Sequence, residues 1–303
     1  MGVRIAVVGS LMTDLVVRVP RLPVAGESLI GHSFEVFVGG KGGNQALAAK
    51  RAGADHVAMV GRVGDDDFGE RIVQTLESDG VDCTHVTRDP GVGTGVAVPM
   101  VLDDGSNAIV AIPRANLAMT AADIVAARDA ITGADMLVVQ FEVGMEAIEA
   151  AIRLARRAGV PVLLNPAPIA PHSPELLQLP NVLVANEVEA AALAPGCNGD
   201  HSREAAALLA NGPEAVVMTL GSAGALLATR DGQVFVPPFR VKAVDSVGAG
   251  DAFCGALGVA LCEGMEMTTA VRFASAAGAL ASTRPGAAAS LPYRDEIEAL
   301  LRG

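Results

Sequence analysis

The chain has 303 residues, of which 51% are apolar and 3% aromatic, and its formal charge is −12 at pH 7. That length suits one large α/β domain or two small ones, and the apolar fraction argues against disorder. The acidic balance, with no run of Lys or Arg and no Trp, argues against a nucleic-acid partner, which would need a basic stripe or stacking aromatics.

Cysteine and histidine usage argues against a zinc site. Cys83, Cys197, Cys254 and Cys262 form no CxxC pair, and the five histidines form no cluster. The cysteine pattern is typical of a reducing compartment. The N-terminal segment is too short in apolar length for a signal peptide, and no stretch is long enough to span a bilayer. We therefore expect a cytoplasmic protein with no membrane partner.

The first predicted element is a buried strand at 4–9, and two β segments stand out after it. Residues 15–38 alternate in the manner of a β-hairpin, and residues 94–112 do the same around a DG turn at 104–105. We expect these two segments to pair in one small sheet.

The remaining elements alternate between helix and strand. Helices are predicted at 43–53, 66–79, 120–131, 145–158, 251–263, 267–282 and 293–302, and strands at 56–61, 135–141, 161–165, 181–186, 214–220 and 225–236. Such alternation predicts a mostly parallel sheet with helices on both faces. Ligands bind beyond the carboxyl ends of the strands in sheets of this kind. No internal repeat divides the chain, so we expect one domain over 1–303, with lid segments at about 15–40 and 94–112.

The stretch AVDSVGAGDAF at 243–253 places two glycines and Asp251 at a predicted helix start. Glycines let backbone N–H groups approach a ligand closely, and a helix start carries partial positive charge. Together they suit the charge that develops on a transferring phosphoryl group. Asp251 fits either a helix N-cap or a base that takes a hydroxyl proton, and this motif alone does not decide between them.

A second glycine-rich stretch, GGKGGNQA at 39–46, also precedes a predicted helix. It is neither a Walker A loop nor a G-x-G-x-x-G motif. One interpretation is a flexible turn with an exposed lysine. The other is a set of donors, including Lys41 and Asn44, that suits a neutral polyol.

Further polar residues follow predicted strands. Asp14 and Glu142 are either turn residues or acceptors for sugar hydroxyls. Asn186 and Glu189 lie one helical turn apart, which fits a helix start or a site for phosphate and hydrated Mg²⁺. TLGSAG at 219–224 could lie along a nucleotide. Because nearly all these residues fall at strand ends, we expect them to face one crevice.

Taken together, these motifs resemble the ribokinase-like (PfkB) sugar kinases. GGKGGNQA and AVDSVGAGDAF are similar to the two signatures of that family, and the similarity continues through NPAP, NEVE, TLGSAG and TRPGAAAS over nearly the whole chain. The order and spacing of the motifs resemble ribokinase and 2-deoxyribose kinase members more than fructokinases or adenosine kinases. The resemblance implies a three-layer α/β/α fold with a mostly parallel central sheet and a small β-sheet lid.

The resemblance also implies partners and residue roles. The partners are a small-molecule sugar, ATP, Mg²⁺, a monovalent cation that is usually K⁺, and a second copy of the chain that meets the lid sheet. Asp251 is implied as the catalytic base that deprotonates the primary hydroxyl of the sugar. The implied substrate-binding positions are Met12, Asp14, Gly40, Lys41, Gly42, Asn44 and Glu142. The implied nucleotide positions are Asn186, Thr219, Gly221, Ser222, Gly224 and Ser275, together with an anion hole at Gly248, Ala249 and Gly250. The implied metal positions are Glu189 for Mg²⁺ through water, and Asp245, Val247, Ala281, Arg284, Gly286 and Ser290 for K⁺.

One departure from the family pattern bears on the sugar. Ribokinases usually carry Asn at the position of Met12. A thioether facing a ribose hydroxyl would leave it poorly satisfied, at a cost of ~1–3 kcal/mol, whereas facing a CH₂ it gains apolar contact. We hypothesise that 2-deoxyribose is accepted well or preferred. The alternative is that Met12 merely packs under the lid.

The expected function is phosphoryl transfer from ATP to the 5-hydroxyl of a furanose pentose, and kinases for fructose or nucleosides stay open. A dinucleotide-dependent oxidoreductase would need a glycine fingerprint after the first strand, which this sequence lacks. A non-catalytic sugar-binding protein would have no use for an anion hole beside Asp251.

Overall fold

In the computed structural model, which describes residues 2–104 and 106–303, the chain builds two sheets. The larger, the central sheet, has nine strands. In spatial order they are β13 (Gly232–Val236), β12 (Ala225–Thr229), β11 (Ala215–Thr219), β10 (Val182–Asn186), β9 (Val162–Asn165), β8 (Met136–Gln140), β1 (Arg4–Val8), β4 (His56–Gly64) and β5 (Asp82–Asp89). All neighbours pair in parallel except β11–β12 and β12–β13, which are antiparallel.

The second sheet, called here the small sheet, has four strands in the order β3 (Ser33–Gly39), β2 (Met12–Val19), β6 (Gly95–Leu102) and β7 (Asn107–Ile112). The two predicted β segments therefore do pair, through parallel contacts between β2 and β6. The first of them begins at Met12 rather than at residue 15. Gly105 of the predicted DG turn lies outside the described residues.

Helices cover both faces of the central sheet. On one face lie α1 (Lys41–Arg51), α2 (Asp67–Ser78), α8 (Ala249–Cys262), α9 (Met267–Ala281), α10 (Ala287–Ser290) and α11 (Arg294–Arg302). On the other lie α3 (Ala121–Ala126), α4 (Arg128–Thr132), α5 (Met145–Ala158), α6 (Glu187–Leu193) and α7 (His201–Ala210). The predicted three-layer α/β/α class is thus confirmed. Among the helices of the described residues, none is both long and apolar enough to cross a membrane.

Burial on both faces explains why the central strands read as continuous apolar runs. In β1, Ile5 and Val7 pack in the core under α1 and α8, whereas Ala6 and Val8 pack in the core under α5. A strand that is covered on both faces has no side exposed to solvent, so its sequence does not alternate between apolar and polar residues. The apolar runs were therefore a sound basis for predicting these strands.

Several elements differ from the prediction, and the segment predicted as strand at 225–236 is the two antiparallel strands β12 and β13. The predicted helix at 120–131 is two helices, α3 and α4, because Ala127 departs from helical geometry between them. Strand β5 and helices α7 and α10 were not predicted, and α6 was one of two interpretations of the spacing of Asn186 and Glu189. Strand β5 is an edge strand in which Cys83 and Val86 are the only apolar residues, so it shows neither the apolar run that marks the inner strands nor a regular alternation.

Helices α1 and α8 lie unusually close together at Gly255. A Cβ on that residue would lie 2.6 Å from Ala48 Cβ, 2.7 Å from the Ala49 nitrogen and 2.7 Å from the Gln45 carbonyl oxygen. Two of these neighbours are backbone atoms, which cannot move aside cheaply. The missing side chain at Gly255 therefore sets the distance between the two helices.

We expect Gly255→Ala to lower the free energy of unfolding by about 1–3 kcal/mol, the usual cost of overpacking a core. Urea denaturation measures this. The matched control is Gly258→Ala on the same helix, where a Cβ would find only ordinary contacts at 3.6 Å and beyond. Because alanine favours helix over glycine, that variant should be neutral or up to ~1 kcal/mol more stable. Equal losses in the two variants would contradict the close-contact interpretation.

Candidate active site

A cleft of about 580 Å³ lies at the carboxyl ends of the central strands, with β6 and β7 of the small sheet along one side. It brings together residues that the sequence places far apart. The sequence-predicted residues that line it are Met12, Asp14, Gly40, Lys41, Asn44, Glu142, Asn186, Glu189, Thr219, Val247, Gly248, Gly250 and Asp251. The expectation of a single crevice at the strand ends therefore agrees with the structure.

Asp251 is buried in the first turn of α8, with 6% of its surface exposed. It does not cap the helix: the N-cap is Gly248, and the Asp251 carboxylate bonds outside its own helix. Asn44 Nδ2 donates to Oδ2 at 2.9 Å, and Gln45 Nε2 donates to Oδ1 at 3.0 Å. A buried carboxylate held this way by two amides is fixed in place at the floor of the cleft.

The start of α8 offers free backbone donors beside that carboxylate. Gly248 has φ 81°, a conformation that favours glycine, and it turns the chain into the helix. Within the described chain, the N–H groups of Gly248, Gly250 and Asp251 have no acceptor. A Cβ on Gly250 would meet nothing within 4 Å, so this glycine opens towards the cleft. Such free donors, together with the helix dipole, have the geometry of an anion site.

The Ala249 N–H differs from its neighbours in the predicted anion hole. The N–H of Ala249 donates to the Ser246 carbonyl at 3.2 Å, so it closes the turn before the helix. The Asp251 N–H, which the sequence-based prediction did not include, is a free donor in its place.

Lys41 is the first residue of α1 and lies half-buried in the cleft. The negative charges of Asp251, Glu142 and Glu189 raise the pKa of the Lys41 ammonium, in spite of its burial. The lysine therefore stays charged and offsets part of the acidic field around it.

Two further carboxyl groups lie on the side of the small sheet. Glu142 Oε2 accepts from the Lys41 N–H at 3.1 Å and from the Ser10 hydroxyl. Burial raises the pKa of Glu142. Burial, together with the charges of Glu142 and Asp251, raises the pKa of Asp14 to about 7.

The buried Asn44 Oδ1 has no hydrogen-bond partner within the described residues, although Asn44 lines the cleft. It is an unpartnered acceptor of a residue that lines the cleft together with Asp14, Glu142 and Lys41. Acceptors and donors so close together suit a ligand that carries several hydroxyl groups. Gly42, predicted among the same contacts, lies behind this wall against the backbone of Gly9 and Ser10.

The opposite end of the cleft is formed by the ends of β10 and β11. Asn186 and Glu189 form a reciprocal capping box at the start of α6, and burial raises the pKa of Glu189. Thr219 ends β11 and lines the cleft. Gly221 and Ser222 lie on the turn that follows, and Gly224 packs beside the Val236 carbonyl. Ser275 lies half-buried on α9, where its hydroxyl donates to the Val271 carbonyl at 2.8 Å.

The residues implied for K⁺ cluster next to the anion site. Asp245 accepts from the Val247 N–H at 3.0 Å and from the Gly286 N–H at 3.1 Å. Ser290 is fully buried, and its hydroxyl donates to the Ala287 carbonyl at 2.8 Å. Ala281 ends α9. Arg284 follows three residues later, and its guanidinium forms an ion pair with the Glu296 carboxylate. An oxygen-only set of one carboxylate, backbone carbonyls and a hydroxyl has the chemistry of a hard-cation site.

Residues that the sequence did not single out also contribute. Asn165 ends β9 and lines the cleft, and Gln45 lies behind it against Asp251. Cys254 lines the floor one turn after Asp251. The small sheet adds an apolar wall of Ala97, Pro99, Ile109 and Ala111. Asn165 ends an apolar strand and begins the NPAP motif, and these were the two signals available for it.

The fold and this cleft define an α/β enzyme in which a buried acid lies beside an anion-binding helix start. Comparison with protein families matches residues 3–294 to the pfkB family of carbohydrate kinases. The chain belongs to that family, and it is a sugar kinase of the ribokinase type.

Individual relatives cover the whole chain. A ribokinase of Bacillus subtilis is 38% identical over 98% of this chain and 99% of its own. A deoxyribokinase of Salmonella typhi is 36% identical over 98% of each chain. The structure of Arabidopsis thaliana ribokinase complexed with ribose and ATP has a TM-score of 0.90, with 30% identity over 100% of both chains.

The raised pKa of Asp14 predicts a pH-dependent stability. The folded pKa of about 7 lies above the ordinary value of 3.8, so between these values the folded state binds more protons than the unfolded state. The contribution of Asp14 to the free energy of unfolding is therefore complete below pH 4 and is lost as pH rises to about 7. Asp14→Asn cannot ionise, so relative to the parent it should gain about 2–4 kcal/mol over this interval. Urea denaturation across pH 4–8 measures this difference, and a difference independent of pH would contradict it.

Proposed function

We propose that the chain transfers the γ-phosphoryl group of ATP to the 5-hydroxyl of a furanose pentose, giving the sugar 5-phosphate and ADP. The observation that carries the proposal is the pairing of the buried Asp251 carboxylate with the free N–H groups of Gly250 and Asp251. The carboxylate can accept the proton of the hydroxyl, and the N–H groups can donate hydrogen bonds to the phosphoryl oxygens on which negative charge develops. Phosphoryl transfer needs both.

In the proposed reaction, Asp251 takes the proton of the sugar hydroxyl as the hydroxyl oxygen forms its bond to the γ-phosphorus. The bond between that phosphorus and the bridging oxygen of ADP breaks, and its electron pair leaves on ADP. The amides at the start of α8 stabilise the charge on the transferring oxygens. Little covalent chemistry is asked of the protein, so positioning and charge compensation do most of the work.

The sugar end of the cleft supports a polyol substrate. Asp14, Glu142 and the open Asn44 Oδ1 supply acceptors, and Lys41 supplies a donor. The similar Arabidopsis protein is complexed with ribose and ATP in its structure, and the similar Salmonella protein is a deoxyribokinase. Both support a pentose as the substrate of this chain.

The nucleotide would extend from the α8 start past Thr219 and the turn that carries Gly221 and Ser222. Glu189 and Asn186 would hold Mg²⁺ through water, and the ion would neutralise charge on the phosphates. The oxygen set around Asp245, Gly286 and Ser290 would hold K⁺, and a comparison of activity in K⁺ and in Na⁺ tests this.

Asp251→Asn is the direct test of the proposed base. A positioned base contributes about 10²–10⁴-fold, so kcat should fall by that factor. Sugar affinity, measured by titration calorimetry, should stay within about threefold because Asn keeps the size of the side chain. A coupled ADP-release assay measures turnover. Near-normal turnover in this variant would remove Asp251 from its proposed role.

We also propose that Met12 favours 2-deoxyribose. Met12 is buried at the start of β2, lines the cleft and pairs with Gly95 of β6, where a Cβ would lie 3.2 Å from Met12 Cγ. A thioether at this place gives apolar contact to a CH₂ and offers no donor to a hydroxyl.

Met12→Asn should therefore shift the ratio of kcat/KM for 2-deoxyribose over ribose towards ribose by about tenfold or more, the value of one hydrogen bond at a buried site. ADP release with each sugar measures the ratio. A strong preference for ribose in the parent that the variant leaves unchanged would show that Met12 only packs.

The small sheet is the proposed lid and the proposed contact with a second copy of the chain. Its outer side exposes Phe34, Val110 and Ile112, with exposed fractions between 48% and 59%. Apolar residues grouped on one sheet are typical of an interface. Sedimentation velocity distinguishes one chain from two.

A further inference from the structure

Asp251 is supported from behind by a chain of buried amides, of which Gln45 lies in GGKGGNQA, Asn165 begins NPAP and Gln140 belongs to none of the family motifs. Gln45 and Gln140 are fully buried, and Asn165 is 8% exposed. Gln140 Nε2 donates to Gln45 Oε1 at 2.7 Å, and Gln45 Nε2 donates to Asp251 Oδ1 at 3.0 Å. Gln45 Nε2 also approaches Asn165 Oδ1 at 3.3 Å. Three side chains distant in sequence thus converge behind one carboxylate.

The direction of these hydrogen bonds is dictated by chemistry. An ionised carboxylate only accepts, so Gln45 must turn its NH₂ group towards Asp251. Its carbonyl oxygen then faces away, where the NH₂ group of Gln140 meets it. Gln140 therefore holds the Gln45 amide in the one orientation that donates to the base.

The far end of the chain is anchored in the central sheet. Gln140 and Asn165 are the last residues of β8 and β9, and they are direct neighbours in the parallel register of those strands. Asn165 Nδ2 also donates to the Val184 carbonyl of β10 at 3.0 Å. Side chains on adjacent strand ends are held rigidly, so the support for Gln45 is rigid as well.

The close contact of α1 and α8 completes the arrangement. Gly255 lies one turn after Asp251 on α8, and its open face admits the backbone of Gln45 and Ala49 on α1. This contact brings Gln45 within hydrogen-bond distance of the carboxylate.

We infer that Gln45 is a positioning residue for phosphoryl transfer: anchored by Gln140, it fixes the Asp251 carboxylate in the orientation that takes the sugar proton. The inference rests on the proposed function of Asp251 and adds to it a residue that touches no substrate. Asn44 holds the other carboxylate oxygen but lines the cleft, so its loss would also disturb the sugar.

The test replaces Gln45 by methionine, which keeps the length of the side chain and removes its three hydrogen bonds, to Asp251, Asn165 and Gln140. In Gln45→Met, kcat should fall about 10–100-fold, the effect of one hydrogen bond to a charged group. The KM values for sugar and ATP should stay within about threefold, because the cleft lining is unchanged. Gln140→Met should lower kcat in the same way but by less, since Gln45 is still present. Gln74→Met on the surface of α2 is the matched control and should keep the parental kcat.

A double-mutant cycle separates positioning from a general structural effect. If Gln45 acts through Asp251, adding Gln45→Met to Asp251→Ala should change the residual rate by less than about twofold. An ADP-release assay at high enzyme concentration measures the residual rate. Thermal melting of each variant reports folding, and if Gln45→Met does not fold, Gln140→Met is combined with Asp251→Ala in the same cycle.

The outcomes separate the two proposals. Parental kcat in Gln45→Met and Gln140→Met, or a loss of equal size in the Asp251→Ala background, would overturn the role of Gln45 alone. High turnover in Asp251→Ala itself would overturn the proposed base.

Discussion

The cleft is organised around one buried carboxylate that two helices hold between them. Asp251 lies in the first turn of α8, and its two donors come from the first turns of α1. Both helices can take part only because Gly255 lets them approach to a distance that any side chain would prevent. The glycine-rich start of α8 then places free N–H groups next to the acid. Helix packing, and not a flexible loop, thus sets the geometry of the reacting groups.

Charge is the second constraint on the site. Asp14, Glu142, Glu189 and Asp251 line the cleft with one ammonium group, that of Lys41, among the described residues. An anion can bind among these carboxylates only where nearby positive groups make the local electrostatic potential positive. The α8 start and Lys41 supply it on the protein, and a divalent cation would supply it on the phosphates. The raised pKa values of Asp14, Glu142 and Glu189 follow from the same crowding and burial.

The sequence predicted the fold because the inner strands are apolar on both faces and the glycine motifs mark helix starts. It predicted the main cleft residues because parallel strands end at one edge. It did not predict strand β5, which lies at an edge and is polar, nor the break at Ala127. Gln45, Gln140 and Asn165 could not be grouped in advance, since the hydrogen bonds that join them span 95 and 120 residues. The hydrogen bond from the Ala249 N–H to the Ser246 carbonyl depends on the backbone conformation of the turn, which the spacing of the motif does not predict.

The most direct test of the central claim is a crystal structure with the sugar and a non-hydrolysable ATP analogue. The terminal phosphate oxygens should lie about 3 Å from the Gly250 and Asp251 nitrogens, with the Asp251 carboxylate within hydrogen-bond distance of the primary hydroxyl. A triphosphate bound elsewhere, or a sugar whose primary hydroxyl points away from Asp251, would contradict the account.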